Sequence, residues 1–368
     1  MPRAMEDLMN FSLDKQKRYA RHFALSQVGE AGQQKLKNSR VLIIGAGGLG
    51  NPVALYLTAA GIGQIAIVDH DDVSLENLQR QILYKTADIS KNKAFASEAN
   101  LHAVNPNVKI LALSEYFDSK NAAALLNDYD IVVDASDNFE TRYFVNRACV
   151  LAKKTLVYGA IFRFDGQVGV FNHKGSSCYA CLYPNPPAVE AVPNCSESGV
   201  LGVLPGVVGT LMATEVLKII LEIGSPLSDR IVAYDALATH FQTLKVTKNL
   251  SCKVCSGQSL KDTSIDISSP GPEFEISKNT LRELLLSPSP PHLIDVRSFE
   301  EFASFHIPNS KNVPLHLLAQ EIGALPKENK IVFICQSGIR SARAIEILRA
   351  TGRQDLFHLT GGLNAFNT

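Results

Sequence analysis

The chain is 368 residues long, enough for two domains that each bury a core. Lys plus Arg and Asp plus Glu both total 36, so the net charge is zero. That argues against a broad electrostatic footprint for nucleic acid or an anionic membrane, and proteins and small molecules are the expected partners.

The N-terminus, Met1 to Lys17, is polar and carries no apolar signal stretch, and no uninterrupted apolar run reaches the length needed to span a bilayer. A cytoplasmic protein is expected. Seven cysteines is an odd count, and their grouping suits metal binding and catalysis better than a secreted disulfide framework.

Short apolar runs alternate with longer helical patterns over the first two-thirds, the mark of a parallel sheet covered by helices. Strands are predicted at Val41–Ile44, Ile65–Val68, Val108–Leu111, Ile131–Asp134 and Thr155–Tyr158. Helices are predicted at Leu49–Ala60, Lys91–Val104, Asn121–Asn127 and Thr141–Ala152. Gln167–Phe171 follows Asp165-Gly166 and is expected to begin an antiparallel region, which makes the later sheet mixed. Gly206–Glu222 reads as a mostly apolar helix, buried or at a subunit interface. From Gly257 to Pro272 a stretch rich in Ser, Asp, Pro and Gly has no apolar periodicity and reads as a linker. Beyond it, Leu293–Asp295 and Ile331–Ile334 read as strands, and Ile339–Arg349 as a helix, of a compact second unit.

Gly45-Ala46-Gly47-Gly48-Leu49-Gly50 follows the first strand and opens a helix. Gly45, Gly47, Gly48 and Gly50 permit close backbone approach, and helix N–H groups face an anion there, the setting of a phosphate loop. Asp69 ends the second strand, about where an acidic residue binds ribose hydroxyls. Taken alone this predicts a dehydrogenase, and an NAD-dependent oxidoreductase stays a rival. Arg80, in Glu76-Asn77-Leu78-Gln79-Arg80-Gln81, and Lys93 would bring cations near phosphates. Asp137, expected at the end of the fourth strand, is positioned to hold Mg²⁺. Dehydrogenases do not require this set.

Cys178-Tyr179-Ala180-Cys181 and Cys252-Lys253-Val254-Cys255 are two CxxC pairs. Together Cys178, Cys181, Cys252 and Cys255 supply the four thiolates of a closed, structural Zn²⁺ site, which would staple the segment near 180 to the end of the first domain. Cys149 reads as a helix-core residue without chemistry, and Cys195 lies in a polar loop after the proline-rich Pro184–Pro187.

Cys335 heads the loop Cys335-Gln336-Ser337-Gly338-Ile339-Arg340-Ser341, directly after the apolar run Ile331–Ile334. Successive N–H groups of such a turn, ending at a helix N-terminus and helped by Arg340, would favour a nucleophilic thiolate. A phosphatase loop of the common kind has five residues between cysteine and arginine; here there are four.

Arg18-Tyr19-Ala20-Arg21, the loop Gly45–Gly50, Val68-Asp69-His70-Asp71, Asn77-Leu78-Gln79-Arg80-Gln81, Ser136-Asp137-Asn138 and Tyr234-Asp235-Ala236 resemble the adenylyltransferases that activate ubiquitin-like sulfur carriers, the ThiF/MoeB superfamily, over residues 10 to 257. The short cysteine loop resembles a rhodanese domain over residues 273 to 368. So do Leu293-Ile294-Asp295-Val296-Arg297, His306-Ile307-Pro308-Asn309-Ser310 and Thr360-Gly361-Gly362-Leu363-Asn364-Ala365-Phe366. Asn309 stands where that family commonly has glycine.

The resemblance implies an α/β chain in three parts: a Rossmann-like adenylating domain with a largely parallel sheet and zinc knot (1–257), a linker (258–272) and a smaller α/β rhodanese domain (273–368). It implies that ATP binds the glycine loop with Asn77 nearby, that Asp69 holds the ribose, that Arg80 and Lys93 meet the phosphates, and that Asp137 positions Mg²⁺. Arg21 would reach ATP across a homodimer interface. Cys195 would be able to form a covalent link with the carrier, and Cys335 would carry a persulfide, while Asp295, Arg297 and His306 would be mainly structural. The expected reaction is adenylation of the C-terminal glycine of a carrier ending in Gly-Gly, followed by sulfur delivery to give a thiocarboxylate. A persulfide donor such as a cysteine desulfurase would load Cys335. Molybdenum-cofactor and thiamine biosynthesis are among the destinations that fit. A conjugation-type activating enzyme, holding its carrier as a thioester on Cys195, is the nearest alternative.

Overall fold

The computed structural model describes residues 11–187, 199–256, 272–326, 330–336, 338–349, 353 and 355–366. Cys195, and the expected linker up to residue 271, lie outside the described residues. The chain divides into two compact units, Met1–Ile265 and Asp266–Thr368.

The first unit opens with helices α1 (Leu13–Arg18), α2 (Ala20–Phe23) and α3 (Gly29–Asn38). Strand β1 (Arg40–Ile44) follows, then α4 (Gly50–Ala60), β2 (Gln64–Val68), α5 (Lys93–Val104), β3 (Lys109–Leu113), α6 (Ala122–Asp128), β4 (Ile131–Asp134), α7 (Phe139–Leu151) and β5 (Thr155–Phe162). The sheet continues through β6 (Asp165–Phe171), β7 (Arg230–Asp235) and β8 (His240–Lys245), with α8 (Tyr179–Leu182) and α9 (Leu204–Leu221) between β6 and β7. The strand order is β3-β2-β1-β4-β5-β6-β7-β8. The first five strands pair in parallel, while β5–β6, β6–β7 and β7–β8 are antiparallel.

Local chemistry sets the boundaries. Val41 to Ile44 is a continuous apolar run buried on both sides, as a central parallel strand requires. Helix α4 ends on Gly61 in the left-handed region (φ 85°). Helix α5 begins at Lys93 rather than Lys91, because Asn92 caps it by accepting from the N–H groups of Ala94 and Phe95. Asn138 caps α7 in the same way through the Thr141 N–H, so β4 and the helix are separated by a loop from Ala135. Helix α9 is long and apolar enough to cross a membrane by length and composition, yet half of that stretch is buried. It packs against α4, β5 and β6 as a core helix.

The second unit holds β9 (Glu275–Ile276), α10 (Lys278–Leu285), β10 (His292–Asp295), α11 (Phe299–Ser304), β11 (Lys311–Asn312), α12 (Leu315–Glu321), β12 (Ile331–Ile334), α13 (Ile339–Arg349), β13 (Leu356–Leu359) and α14 (Gly362–Phe366). Its five strands are all parallel in the order β11-β10-β12-β13-β9. Alternate residues of the central strand β12 feed two separate cores, Phe333 on one face and Val332 and Ile334 on the other.

Candidate functional site

Strand order reverses between β1 and β4, and open α/β sheets bind ligands in the crevice outside the carboxyl ends of such strands. The glycine loop leaves β1 there, Asp69 directly follows β2, and the loop Ala135–Asn138 leaves β4. A cavity of about 420 Å³ bordered by Lys35, Asn38, Asp130 and Thr155 lies at the opposite, amino ends of these strands, away from that chemistry.

Backbone crowding dictates two of the glycines. Gly45 has φ +94°, and a Cβ there would stand 2.8 Å from the Ala135 carbonyl oxygen; a Cβ on Gly50 would collide with the Gly45 carbonyl. Gly47 and Gly48 instead keep the loop bare beside the next segment: a Cβ on Gly48 would lie 3.6 Å from Arg80 Cγ, and one on Gly47 3.7 Å from Gln81 Nε2. Asp69 is tied to the same loop, accepting from the Ala46 N–H at 2.7 Å and from the Asp71 N–H at 2.9 Å. Burial pushes its carboxyl up, with Lys93 acting against that.

Lys93 is buried, and its ammonium meets Asp71 Oδ2 at 2.7 Å. His70 faces the other Asp71 oxygen at 3.0 Å and stacks on Tyr116. The hydrogen bond from His70, then Lys93, holds the Asp71 carboxyl well below the usual range. Asn77 bonds the Ser74 hydroxyl and accepts from Gln81 Nε2 at 2.6 Å, while Arg80 donates to the Glu76 carbonyl at 3.2 Å.

Asp137 is exposed and stands three residues past the end of β4, not on it; the strand's last residue is Asp134, which is fully buried. The structure therefore brings the glycine loop, Asp69, Arg80, Lys93 and the Asp137 loop to one crevice. It leaves Arg21 elsewhere: α2 follows Tyr19, whose ring packs against Gly61 at the far end of α4.

Cys178, Cys181, Cys252 and Cys255 converge, all four sulfurs within 4.8 Å of one another. The Sγ–Sγ separations of 3.8 Å (Cys178–Cys181), 3.6 Å (Cys178–Cys252) and 3.4 Å (Cys181–Cys255) are far too long for disulfides. They suit a tetrahedron of thiolates about Zn²⁺, whose edge is about 3.8 Å for a Zn–S bond of about 2.3 Å. The set fits a structural metal with no position left for substrate. Cys149 is buried in α7, and burial pushes its thiol up.

In the second unit Cys335 is buried at the carboxyl end of β12. Its sulfur accepts from the Gly338 N–H at 3.1 Å and the Ser341 N–H at 3.4 Å, with the Ser341 hydroxyl at 3.5 Å. Gly338 (φ +92°) makes the turn possible. Gly362 (φ +59°) lets the following loop lie against the Cys335 and Gln336 backbone, where the Leu363 N–H donates to the Cys335 carbonyl at 2.9 Å. Arg297, paired with buried Asp295 at 2.7 Å, braces the loop through Gln336 Oε1 at 3.1 Å. His306 is bonded to the Phe302 carbonyl at 3.0 Å. Asn309 adopts the left-handed conformation (φ 66°), the one Asn tolerates best after glycine.

Arg340 forms a bidentate pair with Glu301, at 2.6 and 2.7 Å, and the N–H groups of Gly338 and Ser341 are donors to the Cys335 sulfur. Glu301 was missed by sequence reasoning, although Ser298-x-x-Glu301 is a capping box and is legible as one. Asp134 and Arg142 were also missed, of which Asp134, a carboxylate closing an apolar strand, left a local signal; Asp71 lay inside the Val68-Asp69-His70-Asp71 stretch but was given no role.

Comparison with known proteins agrees with this geometry. The ThiF family matches residues 19–254 and the rhodanese-like domain matches residues 277–368. The sulfur carrier protein adenylyltransferase of Thermus thermophilus is 48% identical over 263 residues, covering 70% of this chain and 97% of that one. The probable adenylyltransferase/sulfurtransferase MoeZ of Mycobacterium tuberculosis is 38% identical over 377 residues, covering 100% and 96%. The crystal structure of E. coli MccB with ATP shares the fold, with a TM-score of 0.57 and 24% identity over 65% of this chain and 74% of that one. The chain therefore belongs to the ThiF family, as an adenylyltransferase joined to a C-terminal rhodanese-like sulfurtransferase domain.

Proposed function

We propose that this enzyme, in the cytoplasm and as a homodimer, uses ATP and Mg²⁺ to adenylate the C-terminal glycine of a ubiquitin-like carrier ending in Gly-Gly. Residues 1–257 would do this, and residues 273–368, across the linker 258–272, would supply sulfur. The carrier carboxylate attacks the α-phosphorus and pyrophosphate leaves. This needs no covalent protein residue, because alignment and cations against developing phosphate charge supply the catalysis.

In this reading Gly45, Gly47, Gly48 and Gly50 cradle the phosphates, Asp69 binds the ribose, Asn77 orders the Arg80 segment, Arg80 and Lys93 meet the phosphates, and Asp137 holds Mg²⁺. Arg21 acts on the other copy's nucleotide. Support comes from helix α4, which spans about 16 Å from the glycine loop to the end against which Tyr19 packs.

Cys335, loaded by a persulfide donor such as a cysteine desulfurase, attacks the activated carbonyl with its outer sulfur and AMP leaves. A thiol, for which Cys195 is the candidate, then attacks the inner sulfur, so that a disulfide forms and the carrier departs as a thiocarboxylate. The single observation that carries the reading is the switch-point crevice, where the glycine loop, Asp69 and the Asp137 loop meet. The test is incubation with ATP, Mg²⁺, a sulfur source and candidate carriers, reading carrier mass. A thiocarboxylate is expected; its absence with every Gly-Gly carrier would sink the proposal.

A further inference from the structure

Ser136 immediately precedes Asp137, and all three of its polar groups are held by two buried side chains. Asp134 Oδ1 accepts from the Ser136 N–H at 3.0 Å and from its hydroxyl at 2.5 Å. Arg142 Nη2 donates to the Ser136 carbonyl at 3.1 Å. Asp134 and Arg142 are 0% and 6% exposed, so both polar side chains have been taken out of water at a cost.

They do not recover that cost from one another in a close salt bridge. Arg142 Nε is 3.9 Å from Asp134 Oδ2, and neither atom has a hydrogen-bond partner among the described residues. The shorter contacts of both side chains, at 2.5 to 3.1 Å, are those to Ser136. The same loop runs along the start of the glycine loop, with the Ala135 N–H donating to the Ile44 carbonyl at 2.9 Å.

Arg142 is itself fixed from outside the crevice. Its guanidinium lies over the rings of Phe139 and Tyr158, at 5.3 and 5.0 Å, and the Tyr158 ring packs on Tyr179 of the first CxxC pair with centroids 5.1 Å apart. The Tyr179 N–H donates to Asn146 Oδ1 at 2.9 Å, one turn along α7 from Arg142. The thiolate knot and the Ser136 clamp thus grip one face of one helix.

We propose that Arg142, with Asp134, is a positioning residue that fixes the Asp137 loop for metal binding, braced from the thiolate knot through Tyr179. The inference rests on reading Asp137 as the magnesium ligand. Removing a partner that orients a metal ligand costs roughly ten- to a hundredfold in metal affinity.

The test is Mn²⁺ binding to the full-length protein with a non-hydrolysable ATP analogue, followed by electron paramagnetic resonance, alongside thermal melting. Arg142→Lys keeps the charge and loses the planar fork; it should weaken Mn²⁺ about tenfold. Its ATP–pyrophosphate exchange should recover as Mg²⁺ is raised, a recovery that a general loss of packing would not give. Ser136→Ala should weaken Mn²⁺ in the same direction. Wild-type Mn²⁺ affinity in both variants overturns the inference, and if Arg142→Lys does not fold, Arg142→Gln takes its place, because Ser136→Ala removes only the hydroxyl contact to Asp134 and keeps the carbonyl that Arg142 holds. Asp137→Asn separates the two levels: unchanged Mn²⁺ binding there overturns the magnesium assignment itself, whereas a loss there with no effect of the clamp variants overturns only the positioning role.

Discussion

Arg340 gives two guanidinium nitrogens to the Glu301 carboxylate, at 2.6 and 2.7 Å. Burial acts to raise the Glu301 carboxyl, but the bonds from Arg340 and the Ser298 N–H outweigh it and bring it down. The cation beside the sulfur loop is thus matched by an anion. Glu301→Gln should release part of that charge and speed sulfur uptake from a small anionic donor such as thiosulfate by about fivefold, the equivalent of about 1 kcal/mol for a partly exposed pair. Steady-state thiosulfate–cyanide transfer checks this; an unchanged rate would show that Arg340 charge does not limit the donor.

Cys335→Ala should keep ATP–pyrophosphate exchange and lose thiocarboxylate formation, because the thiol belongs to the second unit and the nucleotide crevice to the first. Exchange assays and carrier mass read the two steps separately. Loss of both would contradict the division of labour.

The purified protein should carry about one zinc per chain. Cys252→Ser should abolish it and lower the melting temperature of the first unit by about 10 °C or more, since a closed thiolate site contributes several kcal/mol and links residues 74 apart in sequence. Metal analysis and calorimetry test this.

Gly50→Ala and Gly47→Ala should behave differently. The first drives a methyl into the Gly45 carbonyl and should cost about 3 kcal/mol of stability. The second meets only Gln81 Nε2 at 3.7 Å; it should leave stability within about 0.5 kcal/mol but weaken ATP by crowding the phosphates. Denaturant unfolding with nucleotide titration distinguishes them.

His358 is buried in β13, and neither ring nitrogen has a hydrogen-bond partner among the described residues. Burial depresses its pKa below 6.5, against a smaller upward pull from Glu275. Well above pH 6.5 the ring is neutral in folded and unfolded chains alike. As the pH falls below 6.5 the unfolded chain takes up the proton first, so stability declines. The second unit should melt at lower temperature at pH 5.5 than at pH 7.5, and His358→Phe should flatten that dependence. Equal slopes for both proteins would discount His358.

The sequence by itself determined the alternation of strands and helices, the two CxxC pairs, the glycine loop and the cysteine loop, because periodicity, turn residues and ligand spacing are local properties. It also carried the family resemblance. Only the tertiary structure decided which charges face which. Asp137 lies beyond its strand because Asn138 caps α7, Arg340 turns to a glutamate 39 residues away, and Lys93 meets Asp71 across 22 residues. The knot, too, closes only when residues 74 apart converge. Long-range pairing depends on where the sheet brings separate loops, and no window of sequence encodes that distance.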